Sequence, residues 1–132
     1  MIDSHCHLNF PGIKADIKNI IKRCEANGVN KLLTINTNPD EFDDHLNLIK
    51  DFDNIYIAYG IHPDKVIENT YLSFSDIENK IKNPRLIGIG ETGLDFYHST
   101  EFKEKQYDIF ESHIKASKEF DLPIIIHQRN SE

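Results

Sequence analysis

Four short stretches of this 132-residue chain set histidines or carboxylates beside an apolar run. The first is DSHCHL, residues 3–8. His5 and His7 stand two apart, and on an extended segment that spacing sends both imidazoles to one side. They can then coordinate one cation, with Asp3 in support; a pair of surface histidines is the plainer reading. Cys6, between them, points the other way and reads as a small buried hydrophobe. In GIGETGLDF (88–96), Gly88, Gly90 and Gly93 let the backbone pack closely or turn sharply around Glu91. A carboxylate there can bridge two cations about 3.5–4 Å apart, although alone the stretch reads equally well as a βα turn with an exposed glutamate. Asp95 reads as a hydrogen-bond acceptor standing behind the ligands. In IIIHQR (124–129), His127 offers an imidazole suited to zinc, iron or manganese. Arg129 can hold a phosphate oxygen through two N–H groups. In GIHPD (60–64), His62 either contacts substrate or phosphate or is a polar turn residue before Pro63.

The elements that must position these residues alternate along the chain. Ile13, Ile17, Ile20, Ile21 and Cys24 recur three and four apart, which predicts a helix over 13–27 stopped at Gly28. Residues 30–37 predict a strand. Asn38, Pro39 and Glu41 then supply a cap, a first-turn proline and a capping-box glutamate for a helix striped by Phe42, Leu46, Ile49 and Phe52. A strand over 54–61 precedes a short helix capped by Ser75 and Glu78. Residues 85–95 begin as a strand and end in a glycine-rich polar turn. A helix over 100–120 and a strand over 122–127 complete the order. Alternating strands and helices, with nearly continuous apolar strands, predict an α/β fold with a parallel sheet covered on both faces. Parallel strands bring all four stretches to the C-terminal face of the sheet. The alternation suits an open doubly wound sheet or part of a barrel equally. His45, His98 and His113 fall away from this face and read as structural. No repeat, linker or low-complexity tract divides residues 1–132, which read as one domain.

Composition narrows the function class. The chain is 39% hydrophobic and 28% charged, within the soluble globular range. No apolar run approaches the roughly 18 residues of a membrane span, and MIDSHCHLNF lacks the basic and apolar regions of a secretory signal. The expectation is a cytoplasmic protein without membrane association. Cys6 and Cys24 are too few for a disulfide framework. A net charge of −7 argues against an extended phosphate-binding surface, though bound cations can reverse the local sign. Motifs for nucleotide binding, acyl transfer and thiol redox chemistry are absent.

Together, DSHCHL, GIHP, GIGETGLDF and PIIIH-x-R, in this order and spacing, resemble the TatD family of metal-dependent deoxyribonucleases, within the amidohydrolase-like barrels. The resemblance runs from Met1 to about Asn130. It implies that His5, His7, Glu91 and His127 bind up to two divalent metal ions (magnesium, manganese or zinc), with Glu91 bridging and taking part in catalysis. His62 and Arg129 would contact substrate. It also implies cleavage of phosphodiester bonds in DNA by a metal-activated water. The fold expected is a partial TIM barrel, about five of eight parallel strands, truncated at the C-terminus. The family's further histidine ligand and late aspartate match no residue here. Such a piece is expected to self-associate or to need a second chain supplying the missing half of the barrel. Two other readings stay open: a catalytically inactive remnant, or a related barrel acting on a small amide or lactone.

Overall fold

A computed structural model describes residues 1–132. Its five strands, β1 (Ile2–Cys6), β2 (Lys31–Ile35), β3 (Ile55–Tyr59), β4 (Leu86–Asp95) and β5 (Ile124–Arg129), form one sheet in sequence order. Every neighbouring pair is parallel. Between them run α1 (Pro11–Lys14), α2 (Ile17–Ala26), α3 (Phe42–Ile49), α4 (Phe74–Lys80) and α5 (Lys103–Phe120). Strand order that follows chain order, with a helical connection after each strand, is the arrangement of consecutive barrel units. An open doubly wound sheet would reverse direction partway.

The core lies between the helices and the inner strands. Leu32, Ile35, Ile55, Ile57, Tyr59, Leu86 and Ile89 are buried on the strands, and Ile21, Phe42, Ile49, Ile77 and Ile109 are buried on the helices. Gly28 adopts φ +78, and the Val29 N–H reaches back to the Cys24 carbonyl at 2.9 Å, closing the end of α2.

Local details depart from the sequence expectations. The helix expected over 13–27 is broken into α1 and α2 around Ala15 and Asp16. The helix expected from residue 100 starts at Lys103. Asn38 does cap, accepting from the Asp40 N–H at 3.2 Å, but on a 3-10 turn (Pro39–Glu41) that leads into α3. Glu41 does not close a capping box; its carboxylate meets the Asn9 side-chain amide at 3.5 Å. Ser73, not Ser75, caps α4, accepting from the Asp76 N–H at 3.2 Å.

The largest departure is in GIGETGLD, which is not a turn. Strand β4 continues through it to Asp95, with the Gly90–Glu91 peptide cis and a register shift against β5 between Ile89 and Thr92. Glycine is required by close approach. A Cβ on Gly60 would collide with the Gly90 backbone, and one on Gly93, at φ +143, would collide with the His127 carbonyl. The glycines therefore allow neighbouring strands to press together where Glu91 must be presented.

Candidate metal centre

Glu91 is the centre of the site. It is 7% exposed on β4, and its N–H donates to the Asn36 carbonyl at 3.3 Å, beyond the end of β2. Its two carboxylate oxygens face different histidines. Oε2 lies 3.4 Å from His5 Nε2 and 3.7 Å from His7 Nε2; Oε1 lies 3.3 Å from His127 Nδ1. The sheet curls enough to bring β1 and β5, its opposite edges, to one carboxylate. Donor atoms sharing a cation at about 2.0–2.2 Å stand roughly 3.0–3.5 Å apart at octahedral or tetrahedral angles, and these separations are of that size. Nitrogen donors with a carboxylate suit borderline divalent cations. The residues present therefore fit metal ions on chemistry and on spacing.

The sequence also fixes how the rings turn. His7 Nδ1 lies 3.3 Å from the Ile35 carbonyl. A carbonyl only accepts, so Nδ1 carries the proton and Nε2 keeps its lone pair toward Glu91. Nε2–H of His127 donates to Asp95 Oδ2 at 3.0 Å, which leaves Nδ1 to face Glu91. Asp95 is 5% exposed, and its Oδ1 accepts from the Tyr97 N–H at 3.0 Å. Burial pushes the Asp95 carboxyl up, but hydrogen bonds from Arg129, the Tyr97 N–H and His127 outweigh it and hold it at about 2. The group is an anion throughout the physiological range.

Arg129 is engaged with this anion. Its Nε–H donates to both Asp95 oxygens at 3.1 and 3.0 Å, and Nη2 lies 2.8 Å from Oδ2. The guanidinium also stands 4.6 Å from the Tyr97 ring centroid. Its bidentate partner is thus a carboxylate of the protein, which leaves Nη1–H for any outside oxygen.

His62 stands closer to the centre than its sequence context indicated. Its ring centroid is 4.3 Å from that of His127, and His62, Glu91 and His127 each bring a ligand atom within 4.8 Å of the others. His62 Nδ1 is 2.7 Å from Asp64 Oδ1 and 3.2 Å from the Asp64 N–H. One nitrogen cannot donate and accept in the same state; the shorter contact, to the carboxylate, makes Nδ1 the donor and leaves Nε2 free. Burial pulls His62 below the ordinary imidazole range, against the opposing pull of Asp64. Asn36, which fixes the Glu91 backbone, carried no sequence signal, because its role depends on the segment after β2 reaching β4 across the end of β3, which separates the two strands in the sheet.

The remaining candidates lie elsewhere. Cys6 donates its thiol to the Leu33 carbonyl at 3.4 Å, and burial pushes it up to about 12, so it stays a thiol facing away from the histidines. His45 and His113 are buried on α3 and α5, and His98 lies in the loop after β4.

The sequence pattern of TatD related DNases matches residues 2–132. The chain belongs to that family. It is 36% identical over 134 residues to a metal-dependent hydrolase, itself uncharacterized, from Buchnera aphidicola, covering 99% of this chain and 50% of that protein. YabD of Bacillus subtilis, also described as a metal-dependent hydrolase, is 30% identical, with 99% of this chain and 51% of that protein covered. Among solved structures, YjjV, a TatD homolog from Escherichia coli, superposes with a TM-score of 0.88 at 28% identity, over 99% of this chain and 51% of YjjV. The chain thus spans about half the length of the relatives it matches. No helix is long and apolar enough to cross a membrane.

Proposed function

We propose that this chain carries the N-terminal part of the catalytic centre of a TatD-type hydrolase that cleaves phosphodiester bonds in DNA. His5, His7 and Glu91 Oε2 would hold one divalent cation, and Glu91 Oε1 with His127 a second, magnesium, manganese or zinc being the candidates. Bound there, such cations supply hydroxide near neutral pH and positive charge for phosphoryl oxygens. The observation that carries this reading is the division of the Glu91 carboxylate between histidines from opposite edges of the sheet. The deoxyribonuclease reading rests on family membership.

The other side chains have definable parts. Asp95 holds the His127 ring so that Nδ1 faces inward, and holds the Arg129 fork so that Nη1–H is left to meet a substrate phosphate. His62 Nε2 can meet the same phosphate from the β3 side. Because relatives are about twice as long, the reading has further polypeptide pairing with the outer edges of β1 and β5. That polypeptide would supply the remaining ligands, whether it is continuous with this chain or separate.

Calorimetric titration with manganese, alongside cleavage of single-stranded DNA, tests the proposal. Manganese binding is expected for the chain and is expected to disappear in Glu91→Ala. Full affinity after loss of both His5 and His7 would refute the ligand assignment. Metal binding without DNA cleavage, even when a polypeptide corresponding to the remainder of the longer relatives is added, would refute the substrate.

A further inference from the structure

A cleft of about 680 Å³ lies outside the cluster of His5, His7, Glu91 and His127. It opens beside it, between the segment after β1 and helix α3, and is lined by Asn9, Phe10, Lys14, Thr37, His45 and Lys65 among others. Its volume lies within the ordinary range for small-ligand sites. All of its walls come from the first three strand-helix units, so it needs no polypeptide beyond this chain to be formed.

Phe10 joins the cleft to the site. Its ring stacks on His7, with centroids 4.8 Å apart and planes 11° apart, yet the residue is 49% exposed. One face is therefore covered by a candidate ligand, and the ring borders the cleft. Its backbone is fixed, because the Phe10 carbonyl accepts from the Ile13 and Lys14 N–H groups at 2.9 and 2.8 Å at the start of α1. A half-exposed aromatic ring, stacked on one face and beside a candidate metal centre, is a platform for a planar group.

The polar wall matches such a group. Lys14 and Lys65 bring two ammonium groups to the cleft, and Glu41 and Asp44 bring two carboxylates. Two cleft residues hold buried polar atoms without partners: His45 Nδ1 and Asn9 Oδ1. His45 Nε2 is occupied by Thr34 Oγ1 at 2.8 Å, so Nδ1 is an unused donor or acceptor in either neutral tautomer. Stacking surface, hydrogen-bonding groups of both kinds and ammonium groups together fit a nucleoside flanked by phosphate. A purely anionic ligand would not need the ring, and a purely apolar one would strand the polar atoms.

We propose that this cleft is a nucleoside subsite. It takes the base of the nucleotide adjoining the phosphate held at Glu91, stacked on Phe10, with Lys14 and Lys65 turned to the next phosphate of the strand. This rests on the nuclease reading and adds to it a direction for the strand, from the centre across the segment after β1 toward α3.

The probe is a short single-stranded oligodeoxynucleotide carrying 2-aminopurine, titrated into the full chain in calcium buffer and followed by fluorescence, with an abasic analogue of equal length beside it. Binding is expected to quench the 2-aminopurine, as stacking does. Phe10→Leu is expected to weaken affinity by about ten-fold and to remove the quench, and Phe10→Tyr to restore both. Lys14→Met with Lys65→Met is expected to weaken affinity and to flatten its salt dependence while the quench at saturation persists. Wild-type affinity and quench in Phe10→Leu would overturn the subsite, as would an abasic strand bound as tightly as its parent. Either result leaves manganese binding at Glu91 untouched, so the subsite can fail while the metal centre stands. Manganese binding with no oligonucleotide binding at all would overturn the subsite and the nucleic-acid reading together.

Discussion

The inner and outer strands of the sheet are held in place by different forces. On β2, β3 and β4, side chains such as Leu32, Ile35, Ile55, Ile57, Tyr59 and Ile89 are at most 2% exposed. On β1 and β5 no residue is fully buried, and Ile2 and Ile126 are 66% and 57% exposed. Yet the outer strands and the segments just past them carry His5, His7, His127 and Arg129, while the inner strands contribute Glu91 and Asp95. The chemistry is thus placed on the less packed part of the molecule and steadied by polar contacts to the more packed part. His7 leans on the Ile35 carbonyl, and His127 and Arg129 lean on Asp95. Apolar burial sets the centre, and directed hydrogen bonds transmit that order to the edges.

The sharpest way to break this contrast is to cut into the centre. Ile57→Ala removes a fully buried side chain from the middle of β3 and is expected to cost about 2–5 kcal/mol. Chemical denaturation followed by circular dichroism measures it. A cost below about 1 kcal/mol would mean that the inner strands are no better packed than the outer ones.

Acid should attack the same centre through its buried histidines. His113 accepts from the Ile61 N–H at 3.0 Å and donates to the Ile109 carbonyl at 2.7 Å, and burial lowers it to about 4. Burial likewise lowers His45 to about 4. In the unfolded chain each returns to about 6.5, so between these values the unfolded state binds the proton and the folded state does not. Their contribution is complete above pH about 6.5 and is lost as pH falls toward 4, up to about 3 kcal/mol for each. Denaturation midpoints measured across that window should fall steadily. His113→Gln should be less stable at neutral pH and should show a shallower fall.

Next in size is the link from centre to edge. Asp95→Asn keeps the shape of the side chain but removes the anion that orients His127 and balances Arg129. Loss of such a supporting carboxylate typically weakens metal affinity by about 10–100-fold. Manganese titration of the variant measures it. An unchanged affinity would show that His127 needs no help from the packed part of the sheet.

The same division governs what could be read in the sequence. Strands KLLTI, IYIAY and PIIIH are recognisable because they are nearly continuous apolar runs, the pattern of a parallel sheet covered on both faces, and alternation with amphipathic helices orders them. Which residues end strands, and therefore share a face, follows from that order, so His5, His7, Glu91 and His127 could be grouped before any coordinates. What could not be read depends on register. Arg129 finds Asp95 because those residues are paired across β4 and β5, which no local pattern encodes. His62 nears Glu91 only because the backbones of Gly60 and Gly90 touch. GIGETGLD looks like a turn since glycine usually makes one; here, tight strand contact overrides that preference. Ser73 rather than Ser75 caps α4, a shift of two residues that lies within the uncertainty of helix boundaries.

The smallest expected effect belongs to the outermost strand. Ile126→Thr keeps the β-branch on β5 and removes apolar surface from a residue that is 57% exposed. Thr has strand propensity close to that of Ile, and a surface exchange of this kind is expected to change stability by no more than about 0.5 kcal/mol. The informative variable is protein concentration. If the free edge of β5 is covered by a second copy, the cost should grow with concentration, and sedimentation should show the variant less associated than the parent. If the edge stands open in a monomer, the two proteins should differ little at any concentration, and the contrast with Ile57→Ala would measure how unequally burial is shared between the strands that carry the core and the strands that carry the ligands.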